Sequence, residues 1–120
     1  MRPFARSDRV AGLIKQELAE LLQKHISDPR LAQATITGVK VSKDLRLAKI
    51  YFTTAGDEKS HQAAGEGFER ARGFVKRELA QRLGLRYMPD LKFFYDESID
   101  YAAHIEKLLK TVRKEDETHH

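Results

Sequence analysis

An α+β sandwich, one three-stranded mixed sheet with helices against one face, is the fold the sequence predicts, and three observations carry it. Apolar residues recur at steps of three and four near both ends of the chain, the spacing of one helix face. Two neighbouring stretches in the first half alternate with a period of two, as half-buried strands do. A long helical stretch then separates the second of these from a third short strand. Strands joined by a tight turn pair antiparallel, whereas a crossover through helix runs right-handed and makes its two strands parallel. The sheet is therefore mixed, covered on one side and open on the other. The 120 residues, 41% hydrophobic and 33% charged, suit one modest core beneath a charged surface.

The elements follow in order. Ser7 is placed as an N-cap with Asp8 behind it, and Val10, Leu13, Ile14, Leu18, Leu21 and Leu22 form an apolar stripe ending near Ile26. Asp28-Pro29 stops this helix, because the residue before proline is pushed out of helical geometry. Thr35 to Ser42 reads as a strand whose alternation slips at Gly38, where a bulge would absorb the change of phase. Ser42-Lys43-Asp44 makes the turn, and Leu45 to Thr54 is the clearest strand, with Ala48, Ile50 and Phe52 on one face. Helical spacing runs from Glu58 to Leu83, with Gly73 as a candidate kink and Gly84 as the cap. Leu91 to Tyr95 is the third strand, and its aromatic residues read as core on one face. Ile99, Tyr101, Ile105, Leu108, Leu109 and Val112 give a last amphipathic helix. Residues 1–113 form one domain with a basic N-terminal arm, and 114–120 are a charged, disordered tail. His119-His120 carry no functional weight.

The net charge of +4 suits a polyanionic partner, although basic proteins are also simply soluble. The apolar runs are too short for a membrane span, and the N-terminus has no apolar stretch behind its basic residues. With no cysteine, neither a disulfide nor a thiolate metal site can form. These features point to a cytoplasmic protein without membrane contact.

The element order resembles the bacterial type II KH domain, which grips nucleic-acid backbone through a Gly-x-x-Gly loop between two helices. Here Ala71-Arg72-Gly73 stands in that place. Further stretches narrow the resemblance: Arg9-Val10, Ser27-Asp28-Pro29-Arg30-Leu31, the run Ile36 to Leu45, Ala48-Lys49-Ile50-Tyr51, Pro89-Asp90-Leu91-Lys92-Phe93 and Asp96-Glu97-Ser98-Ile99. In order and spacing they are similar to the ribosome-binding factor A family, over about Arg9 to Leu109. The family's Ala-x-Gly matches Ala71-Arg72-Gly73, giving a kinked helix pair between the second and third strands. The resemblance implies binding to small (30S) ribosomal subunits and their precursors through 16S rRNA. It also implies support of late maturation and rRNA end processing, greatest importance in the cold, and release by an assembly GTPase.

Six basic residues, Arg70, Arg72, Lys76, Arg77, Arg82 and Arg86, face only Glu69 and Glu78 across the helix pair, an excess equal to that of the whole chain. Gly73 beside Arg72 would let a phosphate approach the backbone, and a helix starting after the kink would aim amides at it. The same charges also describe a solvated helix face. Arg6 and Arg9, with Arg2, form the basic arm. Arg30 either contacts RNA or pairs with Asp28 to pin its loop, and Lys43 and Arg46 flank the hairpin turn.

No nucleophile elbow, phosphate loop or metal-ligand spacing is present, so neither catalysis nor a cofactor is expected. His25, His61 and His104 are scattered, and Asp96, Glu97 and Asp100 read as a capping region. A KH-like protein-interaction module, docking through the open sheet face or the last helix, remains the alternative, as does an RNA binder acting outside the ribosome. The chain is expected to be a monomer.

Overall fold

Alternation in β1 (Ala34–Val41) and β2 (Leu47–Thr54) turns one set of side chains toward the helices and the other outward. The structure, a computed structural model, describes residues 6–98 and 104–112. β1 and β2 pair antiparallel, β2 and β3 (Asp90–Tyr95) pair parallel, and the strand order is β1-β2-β3. Ile36 faces Phe52 and Gly38 faces Tyr51, so Thr37 is the extra residue of the expected bulge. The bulge restores phase, so Ile36, Val39 and Val41 all pack toward the core.

Two helices cover that side. α1 (Arg6–Lys24) buries Val10, Ile14, Leu18 and Leu21. α2 (Glu58–Leu83) buries Ala64, Phe68, Val75 and Leu79. Asp57 caps α2 by accepting the Ser60 N–H at 3.1 Å, and Gly84 ends it in left-handed geometry at φ 63°. The Phe68 ring lies 4.7 Å from those of both Phe52 and Phe93, joining α2 to β2 and β3. Leu31, on the 3-10 turn Pro29–Leu31, seats against α2 at Gly67, where a Cβ would stand 3.2 Å from its Cδ2.

Several expectations change. Ser7 is not a cap: it is buried within α1, which is already helical at Arg6. α1 ends at Lys24, before the Asp28-Pro29 stop. The two helical stretches around Gly73 are one helix, because glycine lowers helix propensity without removing a backbone donor. Phe93 and Tyr95 face α2 as expected, but Phe94 is exposed on the open face beside Tyr51. A third helix, α3, is described over 104–112, and its Ile105, Leu108, Leu109 and Val112 are exposed rather than packed. Residues 1–5, with Arg2, the segment 99–103, with Tyr101, and the tail 114–120 lie outside the described residues.

Phe68 is fully buried, and its removal empties the centre of the helix–sheet contact. Phe68→Ala is expected to destabilise the fold by about 3–5 kcal/mol in urea denaturation. A loss below about 1 kcal/mol would show that α2 is held elsewhere.

Candidate nucleic-acid interface

Burial of one side of α2 determines what the other side presents. At 3.6 residues per turn, Arg70 and Arg77 lie two turns apart on one outward stripe, with Gly73 between them. Both arginines are exposed, and among the described residues neither has a carboxylate within ion-pair distance. Arg72 is 3.4 Å from Glu69, and Lys76 is 2.6 Å from Asp90 at the start of β3. Exposed pairs of this kind contribute about 0–1 kcal/mol, so a phosphate can displace them. Lys76 lowers the Asp90 pKa first by its hydrogen bond and then by its charge, so the competing carboxylate stays ionised.

Between α2 and the free edge of β3 lies a groove of about 400 Å³ lined by Arg72, Gly73, Lys76, Asp90, Leu91 and Lys92. Gly73 stands at its rim, exposed, and a Cβ there would meet only Arg77 Nη1, at 3.5 Å. Because α2 runs unbroken through this point, no second helix starts after Gly73 to offer free amides to an anion. What Gly73 offers is an uncovered stretch of backbone between two arginines.

Two candidate arginines turn inward instead. Arg82 reaches Glu17 at 3.1 Å and Glu20 at 3.8 Å, tying α2 to α1. Arg30 clasps Asp28 through Nε at 3.1 Å and Nη2 at 2.7 Å, while its backbone N–H donates to the same carboxylate at 2.9 Å. This is the loop-pinning arrangement. The Arg30 side-chain hydrogen bonds, followed by its backbone N–H, hold the Asp28 pKa below the usual range.

Candidates far apart in sequence meet at one end of the sheet. Arg6 and Val10 of α1, Asp44 to Arg46 of the hairpin turn, and Leu85 to Tyr87 and Pro89 before β3 line a cleft of about 520 Å³. Tyr87 is 78% exposed, with the Arg86 guanidinium 5.5 Å from its ring centre. Asp44 is occupied by the Ser42 hydroxyl and the Arg46 N–H. Leu45 adopts φ 62°, a left-handed conformation that ordinarily suits glycine or asparagine. Lys43 is exposed beside this turn, and Arg9 is exposed one turn along α1. Tyr87 was not singled out from the sequence. Its only signal there is an aromatic residue set between a helix-capping glycine and a proline.

Two measurements check these roles. Gly73→Ala is expected to stabilise the fold by about 0.5–1 kcal/mol in urea denaturation, because glycine disfavours the helix and the site has room. No gain would mean that the backbone there departs from helical geometry. Asp28 has a depressed folded pKa, so its contribution is present above the unfolded value near 3.9 and is lost as pH falls through the folded value. Asp28→Asn should therefore lower stability at neutral pH and flatten its decline below about pH 4. Parallel pH profiles for variant and parent would remove the clasp from the account.

A family model for ribosome-binding factor A matches residues 6–109. A protein of that name from Desulfatibacillum aliphaticivorans is 55% identical over 112 residues, covering 93% of this chain and 91% of the relative. Another, from Syntrophus aciditrophicus, is 46% identical over 117 residues, covering 98% and 95%. The crystal structure of ribosome-binding factor A from Thermus thermophilus superposes with a TM-score of 0.67 at 29% identity, over 74% of this chain and 93% of that one. A Thermus thermophilus ribosome-binding factor A fitted into a map of its 30S complex gives a TM-score of 0.62 at 30% identity, over 72% and 91%. With a family match over nearly the whole fold and a relative 55% identical over 93% of this chain, the chain belongs to the ribosome-binding factor A family.

Proposed function

We propose that this protein binds the small ribosomal subunit and its precursors through 16S rRNA, and that it supports late subunit maturation and rRNA end processing. The observation that carries the reading is the outward stripe Arg70–Gly73–Arg77, two exposed guanidinium groups that flank bare backbone and have no carboxylate of the described residues within ion-pair distance. Guanidinium forks match phosphate oxygens, and such contacts position RNA without reading its sequence. Arg72 and Lys76 extend the stripe along the β3 edge. Arg6, Arg46 and Arg86 supply a second contact at the end of the sheet, where Tyr87 can take a base. The 30S complex of the Thermus thermophilus relative supports the subunit as partner.

The role assigned is binding, with no reaction and no cofactor. The protein acts as a monomer in the cytoplasm, and an assembly GTPase releases it. Among the described residues, no helix is long and apolar enough to cross a membrane.

Sedimentation with small subunits over a salt series tests this reading. Arg70→Glu/Arg77→Glu is expected to abolish co-sedimentation at moderate salt and to reduce the salt slope by about 2, one unit per phosphate contact. Arg82→Ala should lower stability by about 1 kcal/mol and leave subunit binding intact, since Arg82 faces α1. Salt-insensitive binding that survives the double reversal would instead favour an interface between proteins.

A further inference from the structure

The open face of the sheet carries a pattern that only strand register reveals. Lys40 stands directly opposite Lys49, and Lys49 directly opposite Lys92, one lysine from each strand. All three are exposed. Neighbouring strands lie about 4.8 Å apart, and like charges placed opposite one another destabilise a sheet. The acids that share this face relieve the row only in part, through the charge of Asp90 acting on Lys92. Asp90 is taken by Lys76, and Asp96 accepts hydrogen bonds from Thr37 and Ser98. Among the described residues, none of the three lysines has a carboxylate within ion-pair distance.

The next row is aromatic. Tyr51 faces Phe94, with ring centres 5.7 Å apart and planes tilted by 30°. Phe94 is 41% exposed, although its neighbours Phe93 and Tyr95 pack toward α2. The third member of the row is Gly38, whose missing side chain leaves the flank of Tyr51 open, since nothing lies within 4 Å of where a Cβ would be. Lys40 Nζ sits 5.9 Å from the Tyr51 ring centre, linking the cationic and aromatic rows. A solvated sheet face needs neither feature. Cations beside exposed rings are the means by which proteins hold unpaired nucleic-acid strands.

We infer that this face is a second RNA-binding surface, one that takes an unpaired strand with phosphates along Lys40, Lys49 and Lys92 and a base on Phe94 and Tyr51. The inference rests on the rRNA-binding reading above. Lys92 joins the two surfaces, because it also lines the groove beside Arg72 and Lys76. One strand can therefore pass from α2 around the free edge of β3 and onto the open face.

The test is fluorescence anisotropy with an unpaired oligoribonucleotide of about 12 nucleotides, with a blunt RNA duplex and polyglutamate as competitors. Lys49→Glu is expected to weaken binding roughly tenfold and to lower the salt slope by about 1. It should also raise the melting temperature, because it places opposite charges across the row. Phe94→Ala is expected to weaken binding roughly tenfold with the slope unchanged. The duplex and polyglutamate should compete poorly. Wild-type affinity in either variant, with the fold intact by circular dichroism, overturns the inference, and so does displacement by polyglutamate at equal charge. If Arg70→Glu/Arg77→Glu loses subunit binding while Lys49→Glu and Phe94→Ala bind the oligonucleotide normally, only the sheet face falls. If the α2 variant keeps subunit binding, the functional reading falls instead.

Discussion

The Phe68 ring, wedged between Phe52 of β2 and Phe93 of β3, fixes the rotation of α2 about its own axis. A helix that buries one stripe must present the opposite one, and α2 has no freedom to choose which. Val75 and Leu79 continue the buried stripe, and Gly67 lets Leu31 close against it. Arg70, Gly73 and Arg77 are consequently held outward by a packed core rather than by their own contacts. The binding surface thus takes its rigidity from aromatic packing on the far side of the helix.

The same geometry sorts the arginines. Arg82 lies on the flank that meets α1, where Glu17 and Glu20 neutralise it. Arg30 is spent on the Asp28 clasp that seats the loop carrying Leu31. Arg70 and Arg77 have no carboxylate of the described chain within ion-pair distance, although the charge of Arg70 is felt at Asp28. An arginine with a satisfied fork and little exposure would lose good hydrogen bonds to gain a phosphate. An exposed, unpaired one gives up only water. Local pairing, rather than the count of basic residues, therefore separates scaffold from interface.

Much of the fold was legible because its signals are local. The alternation of Ala48, Ile50 and Phe52, the phase slip at Gly38, the Gly84 cap and the right-handed crossover each follow from a few adjacent residues or one general rule. The site was legible only in part, since charge excess along α2 says nothing of partners elsewhere in the sequence. The Arg82–Glu17 contact spans 65 positions, and the Lys40–Lys49–Lys92 row depends on a parallel register fixed by tertiary packing. The meeting of Arg6, Arg46 and Arg86 likewise needs three chain segments folded together. The helix pair expected around Gly73 is one continuous helix for a different reason: one glycine weakens a helix by about 1 kcal/mol, and the packing of Phe68 and Val75 on either side exceeds that.

The central claim is that the outward face of α2 lies against rRNA, and the absence of cysteine makes it directly accessible to a tethered probe. A single cysteine at Gln81, beside Arg77 on that face, can carry an iron chelate that generates hydroxyl radicals when the protein is bound to small subunits. A second at Gln16, exposed on α1, serves as the reference position. Strong, localised rRNA cleavage from Gln81 that is weak or absent from Gln16 is the result the account predicts. Cleavage from Gln16 with none from Gln81, in bound and folded protein, would contradict it.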